Sequence, residues 1–267
     1  MSTRPTRLSI AFYLSFCVNP VGTYAQDPSV GDLLKKAETT YRQVSTFNMI
    51  AQKTVEVATV GESKVGGNTA RSNFHQSENI QIELVAAGSS RAKLQLKDEK
   101  KEIVVISNGK LLWIFIPAQQ AYTETTAQNG EQKPSGSKDI SGLDLLQNYE
   151  TLVAARYQSL SPYASTAKLE RSEKLKVGGD KKDCYVLMIQ TPQGSHELWI
   201  DKAQFVVWKC VDTSPTPSEG ISLQSTVTVT AKEIVLNSKL EDSAFVFGPP
   251  GQAKKVDSLK LSGKNPF

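Results

Sequence analysis

Histidine is almost missing from this chain. There are two in 267 residues, His75 and His196, about 120 positions apart. No His-Glu-x-x-His segment occurs, no histidine pair lies one helical turn apart, and no Cys–His spacing suits zinc. A metal site is therefore not expected. Serine-nucleophile chemistry finds little more support. Gly61-Glu62-Ser63-Lys64-Val65 begins like a nucleophile elbow but lacks the final glycine and a strand-to-helix setting. Gly66-Gly67 and Gly178-Gly179 read as turns with no helix after them, so no phosphate-cradling loop is expected. Acidic residues scatter over polar strand faces, and no carboxylate pair stands out. These gaps point away from an enzyme and from any cofactor, and towards binding.

Charge of one sign is equally scarce. The net charge of +4 falls to about +2 once Arg4 and Arg7 of a leader are removed. Lys and Glu are mixed along the chain rather than grouped in basic patches, so nucleic acid is not an expected partner. Long apolar runs are lacking too. The run Leu111–Ile116 holds six large apolar residues, against the roughly 20 that a membrane-spanning helix needs.

The N-terminus sets the compartment. Arg4 and Arg7 precede the short apolar stretch Leu8–Val18, Pro20 and Gly22 break it, and Thr23-Tyr24-Ala25 offers a cleavage site. Residues 1–25 read as a secretory signal peptide and 26–267 as one exported domain. Leu14-Ser15-Phe16-Cys17 only faintly matches a lipoprotein box, because Phe16 stands where a small residue is wanted. Removing the leader leaves Cys184 and Cys210. Strand lengths place them at opposite ends of a meander, roughly 20 Å apart, as two reduced, half-buried thiols.

Periodicity supplies the architecture. Ser29 caps a helix whose stripe is Val30, Leu33, Leu34, Ala37, Tyr41 and Val44. From Ser45 the period changes to two, with Phe47, Met49, Ala51 and Val55 on one face. Further strands are expected near 75–87, 91–98, 101–107, 110–116 and 119–126, with Asn108-Gly109 as the strongest hairpin signal. A polar loop follows at Ala127–Asp139, then a second amphipathic helix over about 140–153, with Leu143 and Leu146 on its apolar side. Strands resume at 166–176, 181–191, 195–201, 204–212 and 221–236. In the last, the apolar phase slips between Val229 and Ile234, which implies a bulge. About eleven sequential strands form one large antiparallel sheet, too wide to stay flat. The expected class is mainly β (α+β): a curved half-open barrel lidded by two or three helices.

Three stretches, in order, carry a family likeness: SNGKLLWIFIP (Ser107–Pro117), LWID (Leu198–Asp201) and FVFGPPGQAKKVD (Phe245–Asp257). Together with VSTFNMIAQKTVE (Val44–Glu56) they resemble the outer-membrane lipoprotein carrier LolA and its wider superfamily of periplasmic lipid-handling proteins. The likeness spans the mature chain, and each motif is short. It implies a periplasmic carrier that shelters the acyl chains of lipoproteins, or another lipid, on the way to the outer membrane. An inner-membrane release complex and an outer-membrane acceptor are the implied partners, and the implied state is a monomer. Phe47, Met49, Ala51, Val55, Ala92, Leu94 and Leu96 fall where the family lines its cavity, and Trp113 is added from the aromatic strand. Which parity of Leu111–Ile116 faces inward stays open. The lid would consist of Leu33, Leu34, Ala37 and Tyr41 with Leu143 and Leu146. One departure stands out: Gly88-Ser89 occupies the place of the family's Arg-Pro, with Arg91 only nearby, which puts the lid latch in doubt. The alternative reading is a periplasmic lipid-sensing regulator of an envelope-stress partner on the same fold.

Overall fold

The computed structural model describes residues 28–59, 63–65, 68–70, 75–88, 90–127, 156–216 and 223–259. The expected signal peptide, the Ala127–Asp139 loop beyond Ala127 and the expected 140–153 helix lie outside the described residues. Helix α1 spans Val30–Arg42. Ser29 caps it, its Oγ accepting the Asp32 N–H at 3.2 Å, and Asp32 in the first turn and Arg42 in the last both suit the helix dipole. Leu33, Leu34, Ala37 and Tyr41 form the buried stripe read from the sequence.

Strand β1 (Thr46–Thr59) follows, and β2 (Ser63–Val65) with β3 (Asn68–Ala70) makes a separate two-stranded sheet. A first meander comprises β4 (His75–Ala87), β5 (Arg91–Lys97), β6 (Glu102–Asn108), β7 (Leu111–Ile116) and β8 (Ala121–Thr126). A second comprises β9 (Ala167–Val177), β10 (Asp180–Thr191), β11 (Gly194–Asp201), β12 (Val207–Thr216) and β13 (Leu223–Leu236). The two-residue strand β14 (Lys254–Lys255) adds to β8 in parallel; every other pair is antiparallel. The sheet has 12 strands in the order β14-β8-β7-β6-β5-β4-β1-β13-β12-β11-β10-β9. Its two edges do not pair, so the barrel stays open. The sequence reading undercounted by missing β14.

Local chemistry fixes the turns. Asn108 Oδ1 accepts the Lys110 and Leu111 N–H groups at 2.9 and 2.8 Å, and Gly109 sits at φ +87°, where a side chain is strained. At Gly194 (φ +145°) a Cβ would meet the Thr213 carbonyl oxygen at 2.0 Å, so only glycine lets β12 approach the β10–β11 turn. The predicted bulge is present. Ile50 pairs with Glu233 and Ala51 with Ala231, which leaves Lys232 as the extra residue.

The expected cysteine geometry needs correction. Cys184 pairs with Asp201 and Cys210 with Leu198, so the two lie three residues apart along β11, about 10 Å, and two strands apart. What separates them is the sheet itself, because an odd offset along β11 puts them on opposite faces. Neither is in a disulfide, and both are buried rather than half-buried. Burial pushes the Cys184 thiol up to about 12, with Asp201 adding to the effect.

Candidate functional site: the inner face of the sheet

Register determines which side chains share a face. Along β1 the odd positions Phe47, Met49 and Ala51 are buried. Across β4 they meet Ala86, Leu84 and Ile82, and across β5 these meet Ala92, Leu94 and Leu96. The same face continues on β6 as Ser107, Val105 and Ile103. On β7 it continues as Leu112 and Ile114. Helix α1 lies against this inner face: the Tyr41 and Phe47 rings stand 6.3 Å apart. Tyr41 Oη also accepts the Val207 N–H at 3.0 Å, which ties the helix to the second meander.

Seven of the eight expected lining residues therefore sit on one face. Phe47, Met49, Ala51, Ala92, Leu94 and Leu96 are each no more than 2% exposed, and Val55 is half-buried farther along β1. Trp113 is the correction. Its partner on β6 is Ile106 and on β8 is Glu124, so it points to the outer face with Phe115. The reason is chemical as well as geometric. A buried indole needs an acceptor, and Trp113 Nε1–H donates to Glu124 Oε2 at 2.8 Å directly across the hairpin. The parity left open by the sequence is thus settled: Leu112, Ile114 and Ile116 face inward. Sequence reasoning also missed Ile80, Ile82 and Leu84, whose two-residue period in the segment 80–84 was a usable signal.

The outer face of the first meander has its own cover. Phe247 packs on Trp113, Phe115 and Tyr122, with ring centroids 6.2, 5.9 and 5.1 Å away. Phe245 is buried beneath the Arg91 guanidinium, 5.2 Å from the ring, and Arg91 Nη1 pairs with Asp242 Oδ1 at 2.6 Å. Arg91 therefore holds a C-terminal strap on the outer face. Gly88 takes φ +64°, as a tight link between β4 and β5 requires.

Polar bonds hold α1 to the segment that begins at residue 156. Glu38 Oε2 accepts the Ser161 N–H and Oγ–H at 2.8 and 2.5 Å, and Glu38 Oε1 pairs with Arg42 Nη2 at 2.7 Å. The Ser161 bonds, led by its hydroxyl, hold the Glu38 carboxyl below its ordinary range. Arg42 Nε–H donates to the Gln158 carbonyl at 2.9 Å, and the Tyr41 and Tyr157 rings stand 5.1 Å apart, tilted by 49°. Of the expected lid, Leu33, Leu34, Ala37 and Tyr41 are buried along α1, Tyr41 against Phe47 and Tyr157, while Leu143 and Leu146 lie outside the described residues.

Among the described residues no group of three or more His, Cys, Asp or Glu side chains is arranged to hold a metal ion, and no helix is long and apolar enough to cross a membrane. His75 begins β4, whereas His196 sits in β11 with Nδ1 2.7 Å from Asp212 Oδ1.

No family model and no characterised protein matches the chain by sequence. Several solved structures are similar to it in fold. One is a domain described as an outer membrane lipoprotein-sorting protein from Vibrio parahaemolyticus, at 10% identity and TM-score 0.29, covering 80% of this chain and 95% of that one. A crystal structure of MucB aligns at 14% identity and TM-score 0.41, covering 82% of this chain and 62% of that one. In a Pseudomonas aeruginosa MucA/MucB complex the values are 13% and 0.36, covering 85% and 63%. With TM-scores below 0.5, the fold assignment rests on the chain's own strand order and helix.

Proposed function

We propose that this chain is a periplasmic carrier that shelters acyl chains, those of lipoproteins or of another lipid, between α1 and the inner face of the sheet. One observation carries the reading: Phe47, Met49 and Ala51 on β1, Ala86, Leu84 and Ile82 on β4, and Ala92, Leu94 and Leu96 on β5 form one apolar field, and the face stays nearly so out to β7. That stripe is five strands, about 19 Å, wide. A 13-residue helix is about 20 Å long but only some 10–12 Å across, and among the described residues α1 meets this floor through Tyr41 on Phe47. The rod is fastened through Glu38, Arg42 and Tyr41 at its C-terminal half, a suitable arrangement for a cover that tilts.

The energetics suit transfer rather than storage. Each methylene taken from water contributes about 0.8 kcal/mol, so a fully sheathed chain would not be released on a useful timescale. A cover that must lift off Phe47 and its neighbours before cargo enters lowers the net affinity. Delivery from an inner-membrane release complex to an outer-membrane acceptor is the route this reading implies.

Native mass spectrometry with lipid extraction on the exported protein tests it directly. Co-purifying acylated peptide or lipid is expected. Leu94→Gln at the centre of the stripe should abolish uptake of a fluorescent fatty acid while the far-UV circular dichroism stays unchanged. A clean apo mass with no probe uptake by the wild type would overturn the carrier and leave a protein-binding regulator. Undiminished uptake by a folded Leu94→Gln would overturn the placement of the site.

A further inference from the structure

One end of the second meander is cationic. The β9–β10 and β11–β12 turns lie together there, because Cys184 pairs with Asp201 and the Lys202 N–H donates to the Asp183 carbonyl at 2.9 Å. Lys174, Lys176, Lys181 and Lys182 flank the first turn, and Lys202 stands in the second. Helix α1 adds another. Thr40 Oγ1–H donates to the Gln204 carbonyl at 3.3 Å, and the Lys36 ammonium stands 5.0 Å from the Phe205 ring. Six lysines thus meet three aspartates, Asp180, Asp183 and Asp201, in a chain whose whole net charge is +4.

The aspartates are already engaged. Asp201 is buried, its Oδ1 accepting the Ala203 and Gln204 N–H groups at 2.8 and 2.7 Å and its Oδ2 the Trp208 indole N–H at 3.1 Å. Asp180 faces Lys182 at 3.5 Å, and Asp183 faces Lys174 at 4.0 Å. Lys182 and Lys202 hold their ammoniums 5.2 and 4.6 Å from the Trp208 and Tyr185 rings, contacts that steer a cation without cancelling its charge. Between the turns lies an open hollow of about 620 Å³, whose charged walls are Lys181, Lys182, Lys202, Asp183 and Asp201. Exposed Lys176 and Lys181 sit directly opposite one another across β9 and β10. Like charges so placed repel and cost stability, and an arriving anion relieves them.

What lies beside the lysines indicates the kind of anion. Strand β12 begins at this end, and its partner β13 runs from Thr230, level with Lys209, to Leu236, level with Phe47. The apolar floor therefore starts at the same end of the sheet as the lysines. Charge next to apolar carbon matches the layering of a bilayer surface, phosphates over acyl chains, better than it matches an acidic peptide. We infer that this end of the molecule is a docking surface for an anionic phospholipid bilayer, whose phosphates meet Lys36, Lys176, Lys181 and Lys202. Docking of this kind requires no bound cargo and is separable from the carrier reading.

Co-sedimentation of the exported protein with vesicles tests it. Vesicles of phosphatidylcholine with about a quarter phosphatidylglycerol should bind the wild type at ~0.05 M salt and release it at ~0.5 M. Binding to phosphatidylcholine alone should be at least about tenfold weaker. A lysine near such a surface contributes about fivefold, so Lys176→Gln combined with Lys181→Gln should weaken binding about twentyfold. The same charge removed elsewhere, by Lys100→Gln with Lys110→Gln, should leave binding within about twofold. Relief of the opposed pair means that the first double variant should melt no lower than the wild type, which separates lost binding from lost folding. Equal binding to both kinds of vesicle, or equal losses in the two double variants, overturns the inference. Absence of vesicle binding also overturns it, and retention on soluble polyglutamate would then name an acidic protein as the partner. None of these outcomes bears on uptake of a fluorescent fatty acid, the readout of the carrier.

Discussion

The two ends of the sheet meet the same difficulty on the outer face and answer it differently. Each places a tryptophan there, Trp113 on β7 and Trp199 on β11, and each indole N–H donates to a glutamate, Glu124 on the adjacent β8 and Glu173 two strands away on β9. Each glutamate also takes a cation: Glu124 pairs with Lys255 at 2.8 Å, and Glu173 with Arg171 at 2.7 Å. Beyond that shared unit they diverge. Over Trp113 the chain lays a distant apolar segment, Phe245 to Phe247, and ties it down with Asp242 and Lys255. Over Trp199 it lays the side chains of its own neighbours, with the Arg171 guanidinium 5.6 Å and the Lys209 ammonium 4.3 Å from the ring. One cover excludes water with aromatic carbon. The other does so with alkyl stems whose charged ends remain hydrated. Covers of the first kind are stable but depend on a remote part of the chain; covers of the second kind are local and salt-sensitive.

Removing the strap's anchor should break that contrast most severely. Phe245 is 1% exposed, and Phe245→Ala should cost about 3 kcal/mol in urea unfolding; a loss below about 1 kcal/mol would mean that the strap is ornamental. Half-buried Phe247 should give a smaller loss, about 2 kcal/mol on replacement by Ala, together with brighter quenching of Trp113 by acrylamide. On the other end, Lys209→Ala should cost only about 0.5–1 kcal/mol, and the difference from wild type should shrink in molar salt. An equal salt response for Phe247→Ala would erase the distinction between the covers.

The smallest expected effect concerns what the two ends share. Bonds from Lys255 and then Trp113 hold Glu124 below its ordinary 4.5, and bonds from Trp199 and then Arg171 do the same for Glu173. A carboxyl depressed in the folded state contributes stability that is present above about pH 4.5 and lost as pH falls through the folded value. Glu124→Gln and Glu173→Gln should each flatten the acid limb of a stability–pH curve by a similar amount. A steeper limb in either variant would contradict the assignment.

Much of this frame was legible in residue order. The Ser29 cap, the α1 stripe, the Asn108-Gly109 turn and the phase slip before Ile234 each have a local physical cause, and each is found where its signal lies. Apolar alternation grouped Phe47, Met49 and Ala51, the family likeness added Leu94 and Leu96, and the strand register puts them on one face. Alternation failed for Leu111–Ile116 because six consecutive apolar residues carry no parity. The decisive clue there was polar and non-local, namely an indole in need of an acceptor and Glu124 lying opposite. The strap was equally hidden. Phe245-Val246-Phe247 shows its family motif in sequence, but nothing nearby says which strands it covers.

The strand order carries a further consequence, in time rather than space. Each meander is built from neighbours in sequence and can pair as soon as it exists. The seam that joins them cannot, because β1 meets β13 only much later in the chain: Phe47 pairs with Leu236, about 190 residues on. Closing so long a loop adds little to the equilibrium cost but much to the waiting time. Until then β1 offers β4 one edge and keeps the other unpaired. The β7 aromatics wait longer still, for residues 245–247 to arrive. A chain halted before residue 223 would therefore hold two half-sheets with sticky margins, and anything that escorts the growing polypeptide has most reason to guard β1.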